Sequence, residues 1–149
     1  MTESILMQGL EKLKPLALLL LRLALGVIFI FHGYPKLFTH TRDMMQFFVR
    51  FGLPGYFVYL SGILELFGGI LLIAGLFTRI VGLLLAGEMA VALWRVHGLF
   101  SKPLAVNNYE LPLAVAVGAF AIATMGAGLI SLDYPIYREG DRPSRRMRN

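Results

Sequence analysis

Apolar residues fall in four long blocks along this chain, divided by short polar or basic stretches. The blocks cover about residues 16–34, 56–77, 80–94 and 111–130. Each approaches the ~20 residues that cross a bilayer as a helix. None has the 3.6-residue alternation of a helix with one face in water. The alternating segments of roughly ten residues that a membrane β-barrel needs are absent. The third block is short, but Arg95 at its end can snorkel and lengthen it. The pattern predicts an all-α chain with four transmembrane helices in an antiparallel bundle. The membrane domain covers 16–133, between a cytoplasmic N-terminal segment over 1–15 and a basic cytoplasmic tail over 134–149.

The breaks between blocks carry their own signals. Block one lacks a small-residue cleavage site and runs straight into His32-Gly33-Tyr34-Pro35-Lys36, so it reads as a retained span rather than a signal peptide. Only Thr78-Arg79 separates blocks two and three, which demands a tight helical hairpin. Gly75 is expected near the end of the first helix and Thr78 as the cap of the next. In the first outer loop Asp43, Gln46 and Arg50 fall at i, i+3 and i+7, among Met44, Met45, Phe47, Phe48 and Phe51. This predicts a short interfacial amphipathic helix, read as an anchor in the outer leaflet rather than a lid. Phe31-His32-Gly33 and Val96-His97-Gly98 form a faint internal echo.

Composition agrees with a lipid solvent. Of 149 residues, 57% are hydrophobic and 15% charged, against ~25% charged in an ordinary soluble domain. Mean hydropathy is +0.70. With no cysteine, disulfides, thiol catalysis and cysteine-held iron–sulfur clusters are excluded. The net charge of +5 is concentrated in the tail arginines Arg138, Arg142, Arg145, Arg146 and Arg148. These read as a topology signal, and no nucleic-acid partner is expected. With an even number of spans, eight basic residues lie on the side of the termini and five on the other. Both termini are therefore expected in the cytoplasm, in a bacterial-type cytoplasmic membrane.

The candidate chemistry lies in charges within or near the spans: Arg22, His32, Glu65, Glu88 and Arg95. Charges at that depth are expected to face inward and find partners. At about 1.5 Å per helical residue, Arg22 is level enough to reach Glu88, and Glu65 can reach Arg95 or His32. The leading reading is two structural ion pairs, Arg22–Glu88 and Glu65–Arg95. The sharper one is a polar pocket in the outer half, with His32, Glu65 and Arg95 as catalytic candidates. His32, Lys36, Glu65, Arg95 and Glu110 are its candidates for a quinone headgroup, and Tyr109 lies near. A histidine and a carboxylate suit proton exchange with a quinol oxygen. Haem ligation by His32 and His97 is a lesser reading. Met7, Met44, Met45, Met89 and Met125 are scattered, and no metal site is expected. Gly62, Gly68, Gly69 and Gly75 read as helix-packing positions, with Gly62 and Gly69 sharing a face with Glu65.

Three motifs resemble the DoxX family of small four-helix membrane proteins. They are Arg22, Gly26, Phe29, His32-Gly33 and Lys36; then Glu65, Gly68-Gly69, Leu72, Gly75 and Thr78-Arg79; then Gly126, Gly128, Ser131 and Asp133. Ala127 stands where the family often has proline. The resemblance covers about residues 16–133 and implies association with redox systems, the family's name deriving from a quinone-linked thiosulfate-oxidising complex. It carries over no settled catalytic residue. The leading expectation is an accessory or structural subunit of a membrane redox complex, packed against larger subunits or its own copies. The alternative is a quinone-reactive oxidoreductase subunit. A solute or proton conduit would require an oligomer.

Overall fold

The computed structural model describes residues 2–96 and 109–140, and side chains within 7–96 and 109–136. Its elements are α1 (Thr2–Tyr34), a π-helical segment (Pro35–Thr39), α2 (Thr41–Arg50), α3 (Phe57–Ala74), α4 (Thr78–Arg95), α5 (Glu110–Met125) and α6 (Asp133–Gly140). No strand occurs among the described residues. The apolar stretches of α1 and α3 are long and apolar enough to cross a membrane. In α4, 18 residues include Arg79, Glu88 and Arg95, and α5 has 16 residues, about 24 Å.

Polarity is distributed as a lipid solvent dictates. Arg22 and Glu65 are 1% and 2% exposed, while Phe31 and Trp94 are 74% and 61% exposed. In water that arrangement would expose apolar surface and bury charge, both unfavourable; in hydrocarbon only the charges need shelter. The core is a layer of Leu25, Phe29, Leu72, Val81, Leu85, Val115, Ala119 and Ile122, drawn from α1, α3, α4 and α5.

Glycine sets how closely the helices approach. A Cβ on Gly26 would lie 2.7 Å from the Gly69 carbonyl oxygen, and one on Gly33 would lie 2.5 Å from the Leu66 nitrogen. Helices α1 and α3 therefore touch backbone to backbone and run antiparallel. Gly68 faces Leu85 and Val81 of α4, and Gly82 of α4 meets the Ala119 carbonyl of α5. The packing expected of Gly62, Gly68 and Gly69 is thus divided among three neighbours of α3, with Gly69 against α1, Gly68 against α4 and Gly62 against the π-helical segment.

At the end of α3, Gly75 takes a left-handed conformation (φ 70°). The Leu76 N–H donates to the Leu71 carbonyl, the Schellman closure that glycine permits. Thr78 does not cap α4. Phe77 turns with φ 51°, so Thr78 already lies inside the helix, its hydroxyl buried without a partner. The cap comes from far along the chain: Asp133 accepts from the Phe77 N–H at 2.8 Å and the Thr78 N–H at 2.9 Å. Asp133→Ala is expected to cost about 1–2 kcal/mol, as loss of a helix cap does, and Asp133→Asn less. Thermal unfolding in detergent measures both; an alanine variant that melts with the parent would refute the capping role.

Three boundaries differ from the sequence pattern. Helix α1 continues through Pro15, so residue 16 is not a helix start. Residues 133–140 are helical, where a basic tail was expected from 134. The fourth helix stops at Met125, five residues before 130, because Gly126 (φ 86°) and Gly128 (φ 79°) turn the chain out of it. His97, Lys102, Arg142, Arg145, Arg146 and Arg148 lie outside the described residues, as does the second half of the His-Gly echo.

Candidate functional site

The expected Arg22–Glu88 pair does not form. Arg22 Nε donates to the Leu72 carbonyl at 2.9 Å and Nη2 to Ile73 at 3.1 Å. Nη1 donates to the Ala127 carbonyl at 2.6 Å and to Ile130 at 2.8 Å. The last turn of a helix carries unpaired carbonyls and partial negative charge. Here the end of α3 and the 126–131 loop together offer more acceptors than one carboxylate could. Arg22 is a structural clasp, and Glu88 is left for another environment.

The Glu65–Arg95 pair does not form either. Arg95 is exposed and lies over the Trp94 ring, 4.9 Å from its centroid. Glu65 pairs instead with Lys36, Nζ to Oε2 2.6 Å. The cause is local. After Pro35 the chain widens into a π-helical turn, closed by the His40 N–H donating to the Pro35 carbonyl at 2.8 Å. That turn passes directly over Gly62, where a Cβ would lie 2.8 Å from Leu37 and 3.1 Å from the Lys36 Cβ. Gly62 and Gly33 therefore bring Lys36 down over Glu65. Single π turns recur at functional sites.

Lys36 joins three elements. Its ammonium donates to Ser61 Oγ of α3 at 2.7 Å and sits 5.8 Å from the centroid of Phe48 on α2. Both charged side chains are sheltered, at 15% exposure for Lys36 and 2% for Glu65. The pair forms part of the wall of a cavity of about 400 Å³. His32, Lys36 and Glu65 are its titratable lining, and Phe29, Met44, Phe47, Phe48 and Met89 give it an apolar body. The structure thus brings together His32, Lys36 and Glu65 of the predicted set. Arg95, Glu110 and Tyr109 do not line this cavity.

His32 Nδ1 lies 2.8 Å from the Ile28 carbonyl. A carbonyl only accepts, so Nδ1 carries the hydrogen and Nε2 keeps its lone pair for another partner. Helix α2 contributes Met44, Phe47 and Phe48 to the cavity, so its apolar face covers the site. Ser61 escaped sequence reasoning, having no signal beyond its place one turn before Glu65. Lys36 was among the expected candidates, but its pairing with Glu65 was not expected; it stands four residues after His32, the spacing of one helical face.

Comparison with known proteins adds the following. The family model DoxX matches residues 17–98. The "putative oxidoreductase CatD" of Bacillus subtilis is 34% identical over 120 residues, covering 80% of this chain and 87% of that protein. An uncharacterized protein of Haemophilus influenzae is 34% identical over 137 residues, covering 89% of this chain and 100% of its own. Inner membrane protein YqjF of Escherichia coli is 27% identical over 123 residues, covering 83% and 94%. No solved structure matches the chain.

Proposed function

The chain belongs to the DoxX family, and we propose that it is a subunit of a membrane redox system that holds the headgroup of a lipid-soluble quinone beside Lys36 and Glu65. It does so as an antiparallel bundle of four spans, α1, α3, α4 and α5, with both termini in the cytoplasm. The observation that carries this reading is the Lys36–Glu65 pair, 2.6 Å apart, in the wall of an otherwise mainly apolar cavity. A relative bearing an oxidoreductase name supports a redox setting. With no cysteine in the sequence, electrons carried on an iron–sulfur cluster would belong to a partner chain.

The residues suit such a guest. Pockets for small molecules are apolar with a few convergent polar groups, usually of ~300–1,000 Å³. A quinone exchanges two electrons and two protons between its ring oxygens and its surroundings. The Lys36 ammonium can donate to a ring carbonyl, and the Glu65 carboxylate and the His32 Nε2 lone pair can accept from a ring hydroxyl. Phe47 and Phe48 offer flat apolar surface to the ring.

The test is equilibrium binding of a short-tailed ubiquinone analogue to the purified chain in nanodiscs. Lys36→Met with Glu65→Gln removes both charges together, which avoids stranding one of them. The double variant is expected to stay folded and to bind about tenfold more weakly, ~1.4 kcal/mol. Unchanged affinity would sink the reading. Mild-detergent pull-down from native membranes should also recover cofactor-bearing partners.

A further inference from the structure

Behind Lys36 lies a second cavity of about 290 Å³. It shares Lys36, Phe48, Met89, Ala92 and Val96 with the first, so Lys36 stands in the partition between the two. Glu88 of α4 lines only the second. Both its carboxyl oxygens are shut off from solvent, and the Ser61 hydroxyl is the side-chain group beside them. Ser61 lines the same cavity.

We propose that Glu88 is a second proton-holding carboxyl of the site, reached from Glu65 through Lys36 and Ser61. The inference rests on the quinone reading of the first cavity. Its physical basis is charge and geometry. Two carboxylates, Glu65 and Glu88, share one ammonium, and a buried carboxylate with no cation of its own is costly among apolar side chains. A proton on Glu88 removes the surplus charge. Among the described residues other elements bring no competing group: α2 turns Met44, Phe47 and Phe48 toward the cavities, and α5 turns Leu111, Pro112 and Val115. Among the described residues His32 is the remaining titratable lining group, and it stands on the first cavity's side.

The transfer starts from Glu88 as the carboxylate, once it has released its own proton, and balances without an electron. Ser61 Oγ accepts from Lys36, which leaves the Ser61 hydrogen free to point into the second cavity. A Lys36 N–H bond breaks as a new Ser61 O–H forms. The original Ser61 O–H breaks as Glu88 gains its proton. Lys36 then takes back the proton that Glu65 received from the guest. Lysine and serine end as they began, and one proton has passed from Glu65 to Glu88.

Infrared difference spectra of the full chain in nanodiscs test this, first between acidic and alkaline buffer, then with and without a short-tailed ubiquinol analogue. The expected result is a band of a protonated carboxyl in apolar surroundings, lost in Glu88→Gln at every pH and displaced to more acidic buffer in Glu65→Gln, which leaves Lys36 to Glu88 alone. Adding the quinol changes that band, and Ser61→Ala removes the change while leaving the band. A band that persists in Glu88→Gln overturns the proposal. Quinol that binds without altering a Glu88-dependent band overturns the relay and leaves the quinone reading standing. A Glu88-dependent band in a chain that binds no quinol overturns the quinone reading, and the relay with it, but keeps the proton on Glu88. If Glu88→Gln does not fold, Glu88→Asp keeps the acid on a shorter stem and is expected to shift the band; an unmoved band overturns the assignment.

Discussion

Arg22→Ala is expected to leave little folded protein in the membrane. The guanidinium is 1% exposed and ties α1 to the end of α3 and to the 126–131 loop through four carbonyls. Alanine leaves all four without a donor in a region where water cannot replace it. Removing one partner of a buried charged contact costs about 3–5 kcal/mol, and whole domains are stable by only ~5–15 kcal/mol. Arg22→Lys keeps the charge but offers one nitrogen in place of a planar fork of three. It should recover part of the stability and not all. Membrane abundance and the detergent melting temperature measure both. An alanine variant that accumulates and melts like the parent would show that the four contacts contribute nothing.

The same residue marks where sequence reading stops. Its burial could be anticipated, because an arginine inside an apolar block must be sheltered. Its partners could not. Pairing charge with charge by depth ignores backbone carbonyls, which carry no letter in the sequence and become acceptors only where a helix ends. Gly126 and Gly128 hold the key, since their positive φ ends α5 early and turns the Ala127 and Ile130 carbonyls toward Arg22.

Lys36 is the converse case. The letters were in view, four residues beyond His32, yet Pro35 suggested that the helix had ended. A π turn instead carries the helical path on through Thr39. The candidate site was therefore legible in composition, as His32, Lys36 and Glu65, but not in pairing. Glu88 was visible as a buried acid, and only the three-dimensional path of α4 places it behind Lys36. Asp133 was legible as a motif residue. Its role as the cap of α4 depends on a contact across 55 residues, which no local pattern encodes.

Gly33→Ala is expected to weaken both the fold and the site, for one geometric reason. The added Cβ would lie 2.5 Å from the Leu66 nitrogen, 2.9 Å from the Gly62 carbonyl and 3.0 Å from the Glu65 Cβ. The first two are backbone atoms of a packed helix, so relief requires α1 to lift away from α3. Overpacking of this kind costs about 1–3 kcal/mol, and more for Gly33→Val. The lift falls where Lys36 must reach Glu65, so quinone affinity should drop with stability, by about tenfold or ~1.4 kcal/mol. Gly26→Ala separates the two effects. Its Cβ meets Ile73 at 2.5 Å and the Gly69 carbonyl at 2.7 Å, yet Gly26 does not line the cavity. It should lower the melting temperature and leave affinity close to the parent value. Gly87→Ala has nothing within 4 Å of the new Cβ and should be neutral or slightly stabilising, because alanine suits a helix better than glycine. Equal loss of affinity in the Gly33 and Gly26 variants would mean that binding tracks overall stability. Loss confined to Gly33→Ala would tie the close approach of α1 and α3 to the Lys36–Glu65 pair itself.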